Sequence, residues 1–355
     1  MVNSHHAYRL LQCLTVAIRP LRVEELAEIL ALDFNTKDGV PQLKENWRMK
    51  DQQEAVLSTC SSLIAVVKSG SHRVVQFSHF SVKEFLTSDR LSTSSPEVSH
   101  FYIPPGPAHT VIVKACFGIL LRSDNGMGNV KAKSSALDEY AAEHWVGHAR
   151  FEKVSTHVED GLRRLFDPAQ PYFDAWLNLY DLDRQWHTFV GFPQPLTQPR
   201  GSSLYYASFC GLRNMVEHLV AEHPTHANAK LGRCLSPLVA ALHNRHFNIA
   251  ELLCQRGADV DIKSDINRTP LHAALIDGYV DIAEWLLAHG ANVMSPLDGA
   301  GRTLLHLASK DGQVDAVRLL LQHEADINAR DQSHTTPLHL ALQNRMSEKI
   351  RDLIY

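Results

Sequence analysis

Apolar positions in the second half of the chain recur with a fixed period. The leucines that mark this period are Leu204, Leu238, Leu271, Leu305 and Leu338, at successive intervals of 34, 33, 34 and 33 residues. Between them lie apolar stripes at helical spacing, which predict a second helix in several units: Ile249, Leu252 and Leu253; Ile282, Leu286 and Leu287; Val317, Leu320 and Leu321. A period of this size over five copies predicts a solenoid of stacked helical repeats.

The first half lacks this period and mixes helix-like with strand-like segments. The predicted elements are helices over 7–18, 23–32 and 51–61 and strands over 63–67 and 73–77. Three helices followed by a β-hairpin outline a winged-helix domain, which we place at residues 1–105. After the hairpin, Ser81-x-x-Glu84 predicts a capping box that opens a further helix.

The segment between the two halves is predicted to be helical. Helices are expected near 107–122, 134–149, 155–166 and 171–180. Residues 181–200 contain Pro193, Pro195 and Pro199, which indicate a connector. We therefore predict a mainly α protein: a winged-helix-like domain with a small β-hairpin, a helical linker domain at 106–200, and a C-terminal α-solenoid.

Each period opens with a variant of one motif, T-P-L-H-x-A. The variants are TPLHAA at 269–274, TPLHLA at 336–341, TLLHLA at 303–308, SPLVAA at 236–241 and SSLYYA at 202–207. Motif and period together are the signature of ankyrin repeats. We place five repeats at about 201–230, 231–263, 264–296, 297–330 and 331–355, the last one incomplete.

The residues of the motif have structural roles that follow from helix chemistry. Proline in the first turn loses no hydrogen bond, and the preceding Thr or Ser can cap the helix. The histidine recurs with the motif, so we expect it to hydrogen-bond the adjoining repeat rather than to catalyse or bind a metal. This structural signature comprises Thr269, Pro270, Leu271, His272, Thr303, His306, Thr336, Pro337 and His339.

Stacked repeats leave a long concave surface made of hairpin tips and first helices, where partner binding is expected. By register this surface carries Arg233, His243, Asn244, Asp265, Arg268, Ile276, Asp277, Arg302, Lys310, Asp311, Gln332, Gln343 and Asn344. Because binding energy concentrates in few residues, about a third of them should matter in any one complex.

Composition narrows the class of protein. Of 355 residues, 45% are hydrophobic and 21% charged, and the net charge is −4, which argues against a protein that coats nucleic acid. Six cysteines are scattered without a C-x-x-C pair, which favours reduced thiols and a cytoplasmic protein. No apolar run reaches the ~20 residues of a membrane span, and no signal peptide is recognisable at the N-terminus.

A search for catalytic or cofactor chemistry gives no candidate. His144 and His148 share a helix face at a spacing that can hold zinc, but no companion motif accompanies them, so we interpret them as packing residues beside Trp145. There is no G-x-S-x-G elbow, dinucleotide fingerprint or complete calcium loop. We expect no catalytic residue, no metal, no cofactor and no enzymatic activity.

Three segments resemble a known family. Residues 19–27 (RPLRVEELA) look like the opening of the winged helix in fungal NACHT–ankyrin proteins, which are of the NOD-like receptor type. Residues 77–86 (FSHFSVKEFL) and 140–149 (YAAEHWVGHA) are similar to two further stretches of that family. The resemblance implies a cytoplasmic signalling architecture in which the repeats sense or recruit a partner and an NTPase oligomerises.

The chain departs from this family at its NTPase. No G-x-x-x-x-G-K-[ST] motif is present, and no Gly-Lys dipeptide occurs, so nucleotide hydrolysis cannot be assigned to these residues. We expect the chain to correspond to the C-terminal part of such a receptor, with a NACHT NTPase as a candidate partner in cis or in trans.

Three functions are therefore carried forward. The first is a protein-interaction module, an ankyrin sensor or scaffold without catalysis of its own. The second is a regulatory fragment of an NTP-hydrolysing receptor. The third is a winged-helix DNA-binding regulator, supported only by Lys68 and Arg73 of the hairpin. Residues 1–105 carry 11 basic and 11 acidic side chains, and 51–61 carries no Lys or Arg, so nucleic acid is not the expected partner.

Overall fold

The computed structural model of the protein describes residues 2–122, 135–182, 200–264, 267–296 and 299–343, with side chains from His5 onward. The chain divides into unit 1, Met1–Leu182, and unit 2, Asp183–Tyr355. Helices dominate both units, and the few strands lie in unit 1 as far as the described ranges extend. The predicted mainly α class, with a winged helix and a repeat solenoid, is confirmed.

Unit 1 begins with the winged helix. Its elements are α1 (Val2–Val16), β1 (Leu21–Arg22), α2 (Val23–Leu30), β2 (Leu32–Asp33), β3 (Gln42–Leu43), α3 (Gln52–Cys60), β4 (Ile64–Ser69) and β5 (His72–Phe77). Strand β5 is central in an antiparallel sheet of order β1-β5-β4, so Val75 lies opposite both Leu21 and Val66. The hairpin and its three helices lie where the sequence predicts them; β1 and the small β2–β3 pair do not follow from its pattern.

A buried carboxylate fixes the start of α2. The side chain of Glu25 is fully buried and accepts a hydrogen bond of 2.7 Å from the backbone N–H of Arg22. The Arg19 guanidinium donates two more, at 2.6 and 2.9 Å. Burial alone would raise the pKa of the Glu25 carboxyl, but these hydrogen bonds outweigh it and lower that pKa. Glu25 therefore ties the α1–β1 turn to the first turn of α2.

The helix after the hairpin begins at a different residue from the predicted one. The next helices are α4 (Phe80–Leu86), α5 (Asp89–Ser92) and α6 (Pro96–Ser99). Helix α4 is capped by His79, whose Nδ1 accepts from the backbone N–H of Ser81 at 3.2 Å. The predicted capping box at Ser81 and Glu84 is wrong, because Phe80 is already helical and Ser81 lies inside the first turn.

The predicted linker helices complete unit 1. They are α7 (Pro105–Leu120), α8 (Asp138–Ala149), α9 (Val154–His157), α10 (Glu159–Phe166) and α11 (Tyr172–Leu179). Helix α7 packs against both α1 and α8, so this segment shares one unit with the winged helix. The proposed boundary near residue 105 stays a prediction.

An aromatic cluster forms the core of the helical part. The ring of Trp145 lies 5.3 Å from that of Phe117 and 5.2 Å from that of Trp176, measured between centroids. The indole N–H of Trp176 donates to the carbonyl of Ala142 at 2.9 Å. These side chains are at most 1% exposed, and such edge-to-face contacts add to the gain from burying large apolar area.

Unit 2 repeats a helix pair. Its helices are α12 (Ser203–Phe209), α13 (Arg213–Glu222), α14 (Pro237–His243), α15 (Phe247–Gln255), α16 (Pro270–Ile276), α17 (Val280–Ala288), α18 (Leu304–Asp311), α19 (Val314–Gln322) and α20 (Pro337–Gln343). First helices pack on first helices of the next repeat, as α12 does on α14 and α18 on α20. Residues 344–355 of the fifth copy lie outside the described residues.

Candidate protein-binding surface

The threonine and histidine of the repeat motif are joined within each helix start. The backbone N–H of Thr269 donates a hydrogen bond to Nδ1 of His272, and that of Thr303 donates one to Nδ1 of His306. The N···N distance is 3.1 Å in both. The histidine here takes the place of the Glu or Gln of a capping box. On its other side, Nε2 of His306 lies 2.9 Å from the carbonyl oxygen of Thr335 in the next repeat. The histidines therefore stabilise the helix start, and His306 also links its repeat to the next one.

Burial keeps one of these imidazoles neutral. His272 is fully buried, and burial lowers the pKa of its imidazole to about 4. A neutral imidazole can accept the threonine N–H at Nδ1, whereas a protonated ring has no acceptor there. Serine caps the degenerate copies instead: Ser236 accepts from Val239 N–H at 3.3 Å, and Ser202 from Tyr205 N–H at 3.2 Å.

The predicted binding residues lie at the surface wherever the structure describes them. Lys310, Asp311, Gln332 and Gln343 are exposed. The others are half-buried: Arg233, His243, Asn244, Arg268, Ile276, Asp277 and Arg302. Asp265 and Asn344 lie outside the described residues. A partner can thus reach the described members of the set, while their role in binding stays a prediction.

Some of these side chains also stabilise the repeats. The amide of Asn244 donates to the carbonyl of Ala240 at 3.1 Å and so satisfies the end of α14. The amide of Gln332 donates to the carbonyl of Gly299 at 2.8 Å, which links neighbouring hairpins. Arg302 Nε lies 3.8 Å from Asp331, a buried carboxylate. The last turns of α16, α18 and α20 are therefore better candidates for direct contact than the hairpin tips.

The turn between the two helices of a repeat reveals a residue that the sequence reading missed. In three repeats this turn places a glycine at positive φ: Gly211, Gly278 and Gly312, each at +74°. In the second repeat the equivalent residue is Arg245, at +58°. A non-glycine residue in this conformation costs roughly 1–2 kcal/mol. Alignment of the four turns by period would have singled out Arg245.

Arg245 belongs to a small surface cluster that spans two repeats. Its Nη1 lies 3.1 Å from Asp281 Oδ2, and its guanidinium carbon 5.7 Å from the centroid of the Tyr279 ring. The His243 ring meets Tyr279 edge-on at 5.6 Å. Burial, with a smaller contribution from Arg245, lowers the pKa of His243 to about 4. We call His243, Arg245, Tyr279 and Asp281 the Arg245 cluster.

The wing and α3 present few positive charges that could contact DNA. Arg73 of the wing lies 3.8 Å from Glu24 and donates to the side chain of Gln53 in α3, so its charge is already compensated. Lys68 is exposed on β4, and α3 itself contains no Lys or Arg. A phosphate backbone would meet one uncompensated wing cation, which is a small contribution to affinity.

The strongly shifted titratable groups of the described chain are buried side chains. His148 is fully buried, with Nε2 2.9 Å from the Tyr140 hydroxyl and Nδ1 2.8 Å from His109 Nδ1. Burial, reinforced by His109, lowers the pKa of His148 to about 3. Burial raises the pKa of the Cys60 and Cys254 thiols to about 11, so both stay protonated at neutral pH.

The described ranges contain neither a candidate metal site nor a candidate membrane-spanning helix. No group of three or more His, Cys, Asp or Glu side chains is placed there to hold a metal ion. None of the helices that the structure describes is long and apolar enough to cross a membrane.

Two family models match the chain. Residues 2–96 match the family described as GPI inositol-deacylase, winged helix domain, and 204–296 and 294–355 match ankyrin repeats. Both kinds of domain are therefore present. The winged helix is of the type named after GPI inositol-deacylase; the more specific resemblance to fungal NACHT–ankyrin receptors stays a hypothesis.

Two curated relatives were also found. Azaphilone pigments biosynthesis cluster protein L of Monascus ruber is 32% identical over 268 residues, which cover 71% of this chain and 55% of the relative. Alpha-latrocrustotoxin-Lt1a of Latrodectus tredecimguttatus is 36% identical over 67 residues, 19% of this chain and 5% of the toxin. The chain thus spans about half the length of the first relative and a small part of the second.

Proposed function

We propose that the protein is a cytoplasmic interaction module whose ankyrin repeats bind a protein partner and which catalyses no reaction itself. The observation that supports this most directly is that unit 2 has two classes of residue: buried motif residues that hold the repeats together, and variable residues at the surface. The motif residues, such as Thr269 and His272, are buried and hydrogen-bonded to each other. The positions that vary from repeat to repeat are exposed or half-buried at helix ends and hairpin tips, where a partner can contact them.

Within this surface we place the binding centre on the last turns of the first helices and on the Arg245 cluster. Arg and Tyr are residue types enriched among those that dominate interface energies. Arg245 is held at a backbone cost that its three glycine equivalents avoid, and strain of this kind concentrates at functional sites. Ile276, Lys310 and Asp311 lie at the equivalent helix ends of the following repeats.

The test captures partners with the full chain as bait and compares variants by quantitative mass spectrometry. One variant combines Ile276→Asp, Lys310→Glu and Asp311→Lys. The matched control reverses exposed charges on second helices, Glu284→Lys and Arg318→Glu. The proposal expects partners retained by wild type and control but reduced roughly tenfold or more by the first variant, equivalent to at least about 1.4 kcal/mol. Equal capture by all three proteins would rule out this surface.

The relative from Monascus ruber is named for a pigment biosynthesis cluster. Proteins encoded near the gene of this chain are therefore the first candidate partners. Each would be purified and titrated against the full chain by calorimetry, with the same variant and control. The titration gives a Kd for one defined pair of proteins, which the capture experiment cannot.

A second candidate function is that of the regulatory part of an NTP-hydrolysing receptor. The observation that favours it lies in unit 1, on the segment that resembles NACHT–ankyrin proteins. Phe80, Phe85 and Phe101 are 70%, 57% and 52% exposed, respectively. Phe80 and Phe85 lie in α4 and Phe101 follows α6, and such exposed aromatic side chains are typical of a surface that another domain covers. An NTPase domain, in the same polypeptide or on a partner, would fit this interpretation.

Sequencing of full-length native transcripts tests this second function. An in-frame P-loop domain upstream would support it, and the extended protein should then oligomerise in a nucleotide-dependent manner. Phe80→Asp with Phe85→Asp should abolish that response, while Met49→Asp, also at an exposed apolar side chain, should not. If no P-loop domain is encoded upstream and no purified P-loop partner binds, this function is excluded.

A further inference from the structure

A cleft of about 950 Å³ lies between α1 and α7 in unit 1. Arg9 and Gln12 line it from α1, Val111 and Lys114 from α7, and Val154 from the start of α9. We call it the α1–α7 cleft. Its volume lies within the roughly 300–1,000 Å³ of clefts that hold small organic molecules. It is separate from the repeats, so it is independent of the function proposed for them.

The cleft contains a partly buried cation without an ion-pair partner among the described residues. The guanidinium carbon of Arg9 lies 3.8 Å from the centroid of the Phe34 ring, which holds the planar group in place. The Arg9 side chain forms no hydrogen bond and no ion pair with the described residues. Burial lowers the pKa of this guanidinium, and attraction to Cys13 and Asp33 does not offset that effect. An anion in the cleft would compensate the charge.

The side-chain amide of Gln12 is a second polar group of the cleft. Gln12 is 7% exposed, lines the same cleft, and lies three positions after Arg9 on α1. Its side-chain amide makes no hydrogen bond to any residue that the structure describes. Gln12 can offer a ligand both a donor and an acceptor.

The remaining lining gives the cleft a positive balance and an apolar wall. Lys114 and Lys153 also line it, and Glu152 is the carboxylate among the described lining residues. Three permanent cations thus face one anion. Val111 and Val154 provide apolar surface beside these charges. A ligand that satisfies both features carries an anionic group on an apolar body.

We propose that the α1–α7 cleft binds a small amphipathic anion, with its carboxylate or phosphate at Arg9 and Lys114 and its apolar body along Val111 and Val154. The forked guanidinium of Arg9 matches the oxygens of either head group. The Gln12 amide hydrogen-bonds the same head group or a polar atom next to it. All the residues that line this site belong to unit 1.

Three matched probes test the proposal on the full chain by isothermal titration calorimetry. They are 1-naphthyl phosphate, 1-naphthoate and the neutral 1-naphthalenemethanol. At least one anion should bind at least tenfold more tightly than the neutral probe, and the stronger of the two identifies the head group. Equal affinity for all three would reduce the cleft to an apolar groove and overturn the proposal. No binding of either anion at millimolar concentration would overturn it as well.

Variants locate the binding. Arg9→Gln and Lys114→Gln should each weaken the preferred anion by roughly tenfold or more, because each removes a charged hydrogen-bond donor. The exposed wing variant Lys68→Gln should leave its affinity unchanged. A rise in NaCl from 50 to 500 mM should weaken the anion and not the neutral probe. Unchanged affinity in both cleft variants, with wild-type circular dichroism, would contradict the proposal.

Discussion

The two units bury their apolar side chains in different ways. In unit 1, Trp145 packs against Phe117, Phe166 and Trp176, which come from three other helices of different lengths and spacing. In unit 2, contacts recur from one repeat to the next: the backbone N–H of Asp259 donates to Asn228 at 2.8 Å, and that of Asn292 donates to Asp261 at 3.1 Å. Unit 1 therefore depends on one shared core, whereas unit 2 is close to a sum of neighbouring interfaces.

The largest effect is expected where the core is shared. Trp145→Ala should destabilise unit 1 by about 3–5 kcal/mol, because it removes the fully buried ring at the centre of the aromatic cluster. Hydrogen exchange monitored by mass spectrometry should show lost protection across α1, α7 and α8 while unit 2 keeps its own. The control Trp47→Ala removes a ring that is 45% exposed and should cost at most about 0.5 kcal/mol. Equal loss of protection in both units would contradict the view that unit 1 alone depends on this core.

An effect that is smaller for each residue, and confined to unit 2, should follow from pH. The pKa of His272 is lowered from 6.5 to about 4, so between these values the unfolded chain binds more protons than the folded one. Stability is thus complete above pH 6.5 and falls as the pH drops toward 4, by about 3 kcal/mol for this residue. His243, with a pKa also lowered to about 4, should contribute a similar share.

The variant His272→Gln sharpens this prediction. Glutamine can still accept the Thr269 N–H but does not titrate, so urea unfolding from pH 7 to 4 should lose about half of its pH dependence in that window. The exposed His334→Gln serves as the control and should keep the wild-type slope. If His272→Gln and wild type show the same slope, the neutral imidazole is not what links pH to the repeats.

A third effect tests how closely the repeats follow one pattern. The turn after each second helix holds Gly257 and Gly290 at φ +88° and +87°, but Glu324 at +64° in the fourth repeat. Glu324→Gly should stabilise unit 2 by about 0.5–1 kcal/mol, since relief of the left-handed strain exceeds the entropy that glycine adds to the unfolded chain. Gly290→Ala should destabilise by about 1 kcal/mol. Thermal unfolding measures both, and a loss of stability in Glu324→Gly would show that its side chain stabilises the turn.

The same contrast explains what could be predicted from the sequence. The repeat helices were found because each motif carries its own cap and the period sets the next one, so local chemistry suffices at Thr269 or Ser236. The winged-helix hairpin was found from its strand pattern around Gly70. Strands of two residues are too short to show any period, and they exist only because another strand pairs with them: Leu21–Arg22 with β5, and Leu32–Asp33 with Gln42–Leu43.

Sites built from distant residues escaped prediction for the same reason. The α1–α7 cleft joins Arg9, Gln12 and Phe34 to Lys114, and no spacing in the chain brings these positions together. Arg245 is different, because its departure from glycine is visible in the sequence once the turns are aligned. The concave surface was drawn from register alone, and register could not show that Asn244 and Gln332 hydrogen-bond backbone within the solenoid.

The smallest expected effect on stability decides what the Arg245 cluster is for. Arg245 and Asp281 have side chains 51% and 47% exposed, and such surface pairs contribute about 0.5 kcal/mol or less. Asp281→Asn should therefore leave urea unfolding nearly unchanged while it alters capture of the partner, since it leaves Arg245 without its carboxylate. A loss of about 2 kcal/mol instead would make the cluster a structural link between repeats, and the strained backbone at Arg245 would no longer argue for a binding role.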